Sequence, residues 1–162
     1  MQHKITIRPA VWKDIWEIYR LSNSPEVRAV SIQNHNIIKD EHESWYRNKL
    51  NERDSHIFVI SNLDDKFIGT IRLDKSGSNK FTLSIILDQS FRGFGIGPMA
   101  ISQVVGIMSQ KYPNYQIAAF AKEGNLASIK TLRKSGFKLD GKQSFGGKTF
   151  IQYLLKVHSP AK

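Results

Sequence analysis

The stretch Ser90–Ala100, "SFRGFGIGPMA", puts three glycines, an arginine and a proline into eleven positions, between the apolar runs "FTLSIIL" (81–87) and "MAISQVVGIM" (99–108). Residues without a Cβ let N–H groups converge on an anion at a helix start, where the helix dipole favours negative charge. The stretch reads either as a phosphate cradle or as a tight strand-to-helix turn. A Walker loop fails, because it needs Gly-Lys-[Ser/Thr] and here Gly97 is followed by Pro98 and Met99. The later "GGKT" (146–149) is followed by strand-like alternation and reads as a hairpin turn. A dinucleotide fingerprint can be drawn through Gly95, Gly97 and Ala100, with Glu123 beyond the next strand. Against it, "DQSFR" separates the first glycine from the preceding strand, and the chain after Glu123 is too short for a repeated βαβ series.

Working outward, "KITIRPA" (4–10) alternates like a short strand. The following "VWKDIWEIYRLS" places Val11, Trp12, Ile15, Ile18 and Tyr19 on one helical face. Residues 22–40 carry Pro25 and weak periodicity, which predicts a short helix and a loop. In "DEHESWYRNKLNER", Asp40 and Glu43 have capping-box spacing, and Trp45, Tyr46 and Leu50 mark the apolar side of a second helix. Then "HIFVIS", "KFIGTIRLD" and "FTLSIIL", joined by short turns, predict an antiparallel meander. Pro98 suits the first turn of the helix after the glycine loop. "YQIAAFA" (115–121) reads as a strand, and residues 125–136 as a helix capped by Asn125 and stopped by Gly136. Two strands, "FKLDGK" and "TFIQYLLKV", close a mixed α+β sheet. One domain over residues 1–157 is expected, with 158–162 as a frayed tail.

The net charge of +10 over 162 residues favours an anionic partner. The absence of cysteine excludes disulfides, zinc-thiolate sites and thiol nucleophiles, and the five histidines show no metal-ligand pairing, so no metal is expected. The amino terminus breaks its apolar residues with charges, and no run approaches the ~20 apolar residues of a membrane span. A cytoplasmic location without a membrane partner is expected. A basic nucleic-acid-binding module would need aromatics interleaved with a basic cluster, a recognition helix or a zinc motif, and none is present.

Arg92, Gly95 and Gly97 resemble the [Q/R]-x-x-G-x-[G/A] loop of the GNAT superfamily of acyl-CoA N-acyltransferases, placed after a fourth strand and before a long helix. "GNLASIKTLRKSGFKLDG" is similar to that superfamily's second signature at Asn125, Ser128, Gly136 and Phe137. The resemblance implies a mostly antiparallel sheet of six to seven strands, flanked by about four helices and splayed between strands 4 and 5. It also implies acetyl-CoA as co-substrate. The main chain of Arg92, Gly93, Phe94, Gly95, Ile96 and Gly97 would then hold the pyrophosphate. Ile85 and Leu87 would pair with the pantetheine arm, and Asn125 and Ser128 would touch the CoA. Many relatives carry a tyrosine as general acid where this chain has Leu132. The acid and base are therefore unassigned. His42, Glu43, Ser84 and Asp88 are candidates for the base, beside His35, His56 and Thr82.

The acceptor is expected to be chosen by residues 22–50. Their pattern of "NSPEVR", "HNI" and "EHESW" resembles acetyltransferases acting on nucleotide-linked amino sugars in pseudaminic acid and related surface-polysaccharide biosynthesis. That resemblance implies a small-molecule amine acceptor with a diphosphate, for which Arg28, His35, Trp45 and Tyr46 are candidate contacts. The alternative is a protein N-terminal acetyltransferase resembling those that modify ribosomal proteins, which share a leucine at the Leu132 position. A homodimer is compatible with either, and nothing in the sequence selects an oligomeric state.

Overall fold

The computed structural model describes residues 3–158, so most of the expected frayed tail, residues 159–162, lies outside the described residues. The chain runs through β1 (Ile5–Pro9), a 3-10 turn (Trp12–Asp14), α1 (Ile15–Ser22), α2 (Pro25–Val30) and α3 (Lys39–Asn51). The meander follows as β2 (Ser55–Asn62), β3 (Phe67–Gly77) and β4 (Lys80–Leu87). A second 3-10 turn (Gln89–Phe91) leads into α4 (Ile96–Lys111), and β5 (Tyr115–Lys122), α5 (Leu126–Lys134), β6 (Lys138–Phe145) and β7 (Lys148–Val157) complete the fold.

The seven strands form one sheet in the order β1-β2-β3-β4-β5-β7-β6. Among the described residues β4 and β5 alone pair in parallel, as the α4 crossover between them requires. Strand alternation gives the sheet two packed faces. Phe58, Ile60, Ile71, Leu73, Phe81 and Leu83 point to one side, where they pack with Ile101, Val104 and Met108 of α4 and Leu132 of α5. Ile57 and Val59 point to the other, against Ile15 and Ile18 of α1 and Tyr46 of α3.

The β4–β5 ladder covers only Lys80–Leu83 against Gln116–Ala119. Beyond it the strands part, so Ser84–Leu87 and Phe120–Lys122 face an opening. This is the splay that the family resemblance implies. Gly69 of β3 lies under its rim, opposite Leu87, where an added Cβ would sit 2.2 Å from the Ile86 carbonyl oxygen.

Three local expectations are corrected. The Asp40–Glu43 capping box does not form, because the Ile38 carbonyl already accepts from the His42 N–H at 2.9 Å and α3 is under way by Lys39. Asp40 and Glu41 instead sit in the first turn, where their charge suits the helix dipole. Val11 and Trp12 are not on the buried face of α1, being 45% and 43% exposed. The 3-10 turn that carries Trp12 does not continue the α-helical stripe. Its register is held by Asp14, which takes two hydrogen bonds from Arg8, both 2.7 Å, and one from the Val11 N–H. Tyr46, a candidate for stacking on a ligand, has no accessible surface, and its hydroxyl donates to the Val11 carbonyl at 2.6 Å, so no ring face is left for an acceptor.

Candidate functional site

Both α4 and α5 start at the C-terminal ends of the parallel strands β4 and β5, so two helix N-termini flank the splay. In sheets with parallel strands this end is where a crevice for ligands forms. Strand geometry decides which main-chain groups face the opening. The Asp88 N–H donates to the Ile68 carbonyl of β3 at 2.8 Å. In-plane directions alternate along a strand, so the main-chain groups of Leu87 and Ile85 point the other way, into the splay.

The glycine loop is built by its own backbone. Asp88 accepts a hydrogen bond from the Ser90 N–H at 3.0 Å and fixes the first turn. Arg92 folds back, and its Nε and Nη2 donate to the Leu87 carbonyl at 3.0 and 2.9 Å. Gly93 and Gly95 then adopt φ of +84° and +76° with open space around them, so the left-handed backbone, not crowding, calls for glycine. At Gly97 the reason is contact: an added Cβ would lie 2.8 Å from Thr131 Cγ2, which shows how closely α4 approaches α5. The N–H groups of Ile96 and Gly97 belong to the first turn of α4, which has no side-chain cap. Phe94 is 55% exposed at the loop tip. Across the opening, Asn125 caps α5 by accepting from the Ser128 N–H at 3.3 Å, with Ser128 half-buried beside it. A splayed pair of strands, a left-handed glycine loop and an uncapped helix start fit an amide-rich ligand carrying a diphosphate.

On the opposite face of the sheet a small pocket lies between α1, α3 and the β3–β4 ladder, lined by Trp45, Thr70, Arg72, Ser84 and Ile86, with Ile18 behind. Ser84 faces Arg72, and Ile86 faces Thr70, across the ladder. The Arg72 guanidinium carbon lies 5.2 Å from the centre of the Trp45 ring. Its Nε is 2.8 Å from Asp74 Oδ2, while Lys49 and Ser55 donate to Asp74 Oδ1 at 3.1 and 2.7 Å. Burial pushes the Asp74 carboxyl up, but the Arg72 charge and the bonds from Ser55 and Lys49 outweigh it and hold the group below its usual range.

Ser84 and Trp45 are thus brought together beside the splay, whereas the other candidate acceptor-side residues are not. His42 is buried among Trp16, Tyr19, Trp45 and Tyr46, with Nε2 2.9 Å from the Ile15 carbonyl oxygen. Burial lowers its pKa, partly offset by that carbonyl. Glu43 lies on the outer side of α3, 3.3 Å from Arg47. Asp88 is held ionised, first by the Ser90 N–H and also by Arg20 at 3.5 Å, and its carboxylate serves the turn. His56 contacts the Tyr112 hydroxyl at 3.0 Å on the α4 face, and Thr82 lies in the paired part of β4. His35 is exposed in the loop before α3. Arg28 directs its guanidinium to the Ser22 and Gln33 carbonyls and the Ser31 hydroxyl, at 2.7, 2.8 and 3.2 Å, and so ties its own loop together. Leu132 is buried in the core under α5 and brings no hydroxyl to the splay.

Thr70 and Arg72 were not singled out from the sequence. The signal was present in "TIRLD", where Thr70, Arg72 and Asp74 alternate with Ile71 and Leu73 on a central strand. A polar second face on an antiparallel strand is ordinarily solvated, and here it lines the pocket beneath α3. Among the described residues no cluster of metal-ligating side chains occurs, and no helix is long and apolar enough to cross a membrane.

The profile of the family described as "Acetyltransferase (GNAT) domain" matches residues 4–138. No curated protein sequence matches. Among solved structures, spermidine N-acetyltransferase from Vibrio cholerae in complex with CoA and spermine superposes with a TM-score of 0.83 at 16% identity, over 94% of this chain and 95% of that one. A domain from Methanocaldococcus jannaschii DSM 2661 gives 0.80 at 20% identity, over 96% and 99%. A dodecameric structure of the Vibrio cholerae enzyme in an intermediate state gives 0.76 at 17%, over 94% and 93%. At these identities the superpositions speak for the fold, and the profile match carries the family: this chain belongs to the GNAT acetyltransferases, which transfer the acetyl group of acetyl-CoA to an amine.

Proposed function

We propose that this chain acetylates the amino group of a nucleotide-linked amino sugar. The observation that carries the reading is the pocket beside the splay, where Arg72, 5.2 Å from the centre of the Trp45 ring, offers a cation beside the Ser84 hydroxyl. The pocket is small and would take one anionic or polar group of such an acceptor, and a diphosphate suits both the Arg72 cation and a chain of net charge +10. A polyamine acceptor is suggested by the likeness to the Vibrio cholerae spermidine N-acetyltransferase. It would need carboxylates free to meet its ammonium groups. Asp74 beside the pocket and Asp88 beside the splay are each already engaged by cations and hydrogen-bond donors.

On this reading the donor lies with its pyrophosphate on the main chain of residues 92–97 and its amide-bearing arm along Ile85 and Leu87, near Asn125 and Ser128. The neutral amine attacks the thioester carbonyl carbon, a C–N bond forms as the C–S bond breaks, the amine loses a proton and the departing thiolate takes one. A strand N–H directed into the splay is suited to receive the developing oxyanion. With leucine at position 132, the proton for the thiolate comes from solvent or from a hydroxyl such as that of Ser84.

The test offers purified protein acetyl-CoA together with a UDP-linked 4-amino sugar, spermidine or a ribosomal-protein amino-terminal peptide, and follows thiol release and acetylated product by mass. Thiol release with the sugar nucleotide is expected. Release with spermidine alone or peptide alone overturns the sugar assignment, and absence of acetyl-CoA binding by calorimetry overturns the donor assignment.

A further inference from the structure

The arginines bordering the splay and the pocket differ in what their guanidinium groups already hold. Arg28 makes three hydrogen bonds to its own loop. Arg92 makes two to the Leu87 carbonyl. Arg20 is taken up by Glu17, with Asp88 at 3.5 Å. Arg72 is different. Its polar contact among the described residues is the ion pair from Nε to Asp74 Oδ2 at 2.8 Å, and its guanidinium carbon lies 5.2 Å from the centre of the Trp45 ring.

The support beneath Arg72 is unusually complete for a group with open donors. Asp74 has both oxygens engaged, Oδ2 by Arg72 and Oδ1 by Lys49 and Ser55, and Lys49 is also anchored to Glu52 at 3.0 Å. A carboxylate held from three sides anchors the guanidinium at Nε, and the indole packs beside it. The two terminal nitrogens then keep the forked geometry that matches a carboxylate or phosphate. Arg72 belongs to a pocket wall that also carries the exposed Ser84 and the buried Thr70.

We infer that Arg72 is an acceptor-recognition residue, taking an anionic oxygen group of the acceptor on its terminal nitrogens, with Asp74 and Lys49 as its positioning residues. The inference rests on the small-molecule acceptor reading but not on the sugar nucleotide in particular, since phosphate and carboxylate share the chemistry. It makes Arg72 a selectivity element as well, because a guanidinium on the pocket wall repels an ammonium group arriving in the same place.

The experiment compares wild type with R72Q and R72K, and with K142Q as a surface-charge control, since Lys142 pairs with Glu123 outside the site. The acceptors are a 4-amino sugar, its 1-phosphate, its UDP-linked form, an α-amino acid and spermidine, each at saturating acetyl-CoA. For R72Q the acceptor KM is expected to rise about ten- to a hundredfold, as for loss of charge-assisted hydrogen bonds, with the acetyl-CoA KM unchanged. R72K should recover part of the loss and K142Q should match wild type. Preference for the phosphate-bearing sugars over the free sugar, lost in R72Q, identifies phosphate as the source. An Arg72-dependent KM for the amino acid identifies carboxylate, and in that case the sugar-nucleotide reading falls while the role of Arg72 stands. An unchanged acceptor KM in R72Q, spermidine as the preferred acceptor, or no acetylation of any acceptor offered overturns the inference. If R72Q does not fold, the acceptor KM of R72K decides, and no change there overturns it equally.

Discussion

On the side of the splay proposed for the donor, side chains serve the backbone: Arg92 closes on the Leu87 carbonyl, Asp88 fixes a turn and Asn125 caps a helix. On the side proposed for the acceptor the backbone serves side chains: the β3–β4 ladder sets Thr70, Arg72 and Ser84 side by side, and α3 brings Trp45 over them. The first construction tolerates few changes of backbone conformation and many of side chain. The second tolerates the reverse, so on the proposed assignment donor and acceptor specificity would change independently on one sheet.

The largest expected effect comes from a substitution beneath both halves. Gly69→Ala would drive a Cβ into the Ile86 carbonyl oxygen, 2.2 Å away, and the strands must shift to make room. A loss of about 3 kcal/mol is expected, as for overpacking, or roughly 6–12 °C in Tm for a domain of this size, with both KM values disturbed together. A thermal melt that matches wild type would break the claim that the close approach at Gly69 sets the rim of the splay. Next in size, Gly95→Val places a β-branched residue at φ +76°. That costs about 1–2 kcal/mol and should raise the acetyl-CoA KM about tenfold, leaving the acceptor KM where it was. If the acceptor KM moved instead, the division into two constructions would be wrong.

Leu132→Tyr sharpens the comparison from the side of the missing acid. Leu132 is 2% exposed in the core beneath α5. A tyrosine there is expected to lower stability by about 1–3 kcal/mol through overpacking, and kcat is expected not to rise, since the new hydroxyl has to leave the core to reach the splay. A clear gain in kcat would show that the family's usual acid position is still served by this backbone.

The smallest effect is on pH dependence. Burial depresses the pKa of His42 and of His56 in the folded chain. The unfolded chain therefore takes up protons that the folded chain refuses as pH falls below the usual histidine value of about 6.5, and stability declines until the lowered folded values are reached. Asp14 and Asp74, whose carboxyls are held below their ordinary range, add their loss only at lower pH. His42→Gln should flatten part of the decline in Tm between about pH 7 and pH 5. An undiminished slope would place the proton uptake elsewhere.

The strands, the long helix α4 and the glycine loop were legible in the sequence for the same reason as the donor side. Local backbone conformation leaves local marks: period-two alternation for β2 to β4, glycines for positive φ at Gly93 and Gly95, an asparagine at the cap of α5. The pocket was not legible in that way. Its members Trp45, Arg72 and Ser84 are separated by up to thirty-nine positions and meet only through the β3–β4 register and the packing of α3 over it. Composition also misled at Tyr46 and His42, where an aromatic and a histidine that suggest ligand contact turn out to hold α3 against the carbonyls of Val11 and Ile15. Residues 22–50 announced their importance but not their allocation, because an arginine that binds a ligand and one that staples a loop look alike until their acceptors are known.

The folded-back Arg92 has a consequence for ionic strength. With its guanidinium on the Leu87 carbonyl, the loop that carries the most diagnostic arginine of the chain directs dipoles, not that charge, at an incoming diphosphate. Attraction between an anion and N–H dipoles acts at hydrogen-bond range, well inside the ~8 Å over which physiological salt screens charges. Donor affinity should then hold as salt is added while acceptor affinity through Arg72 falls, leaving an enzyme that stays loaded with donor in conditions where its choice of acceptor weakens.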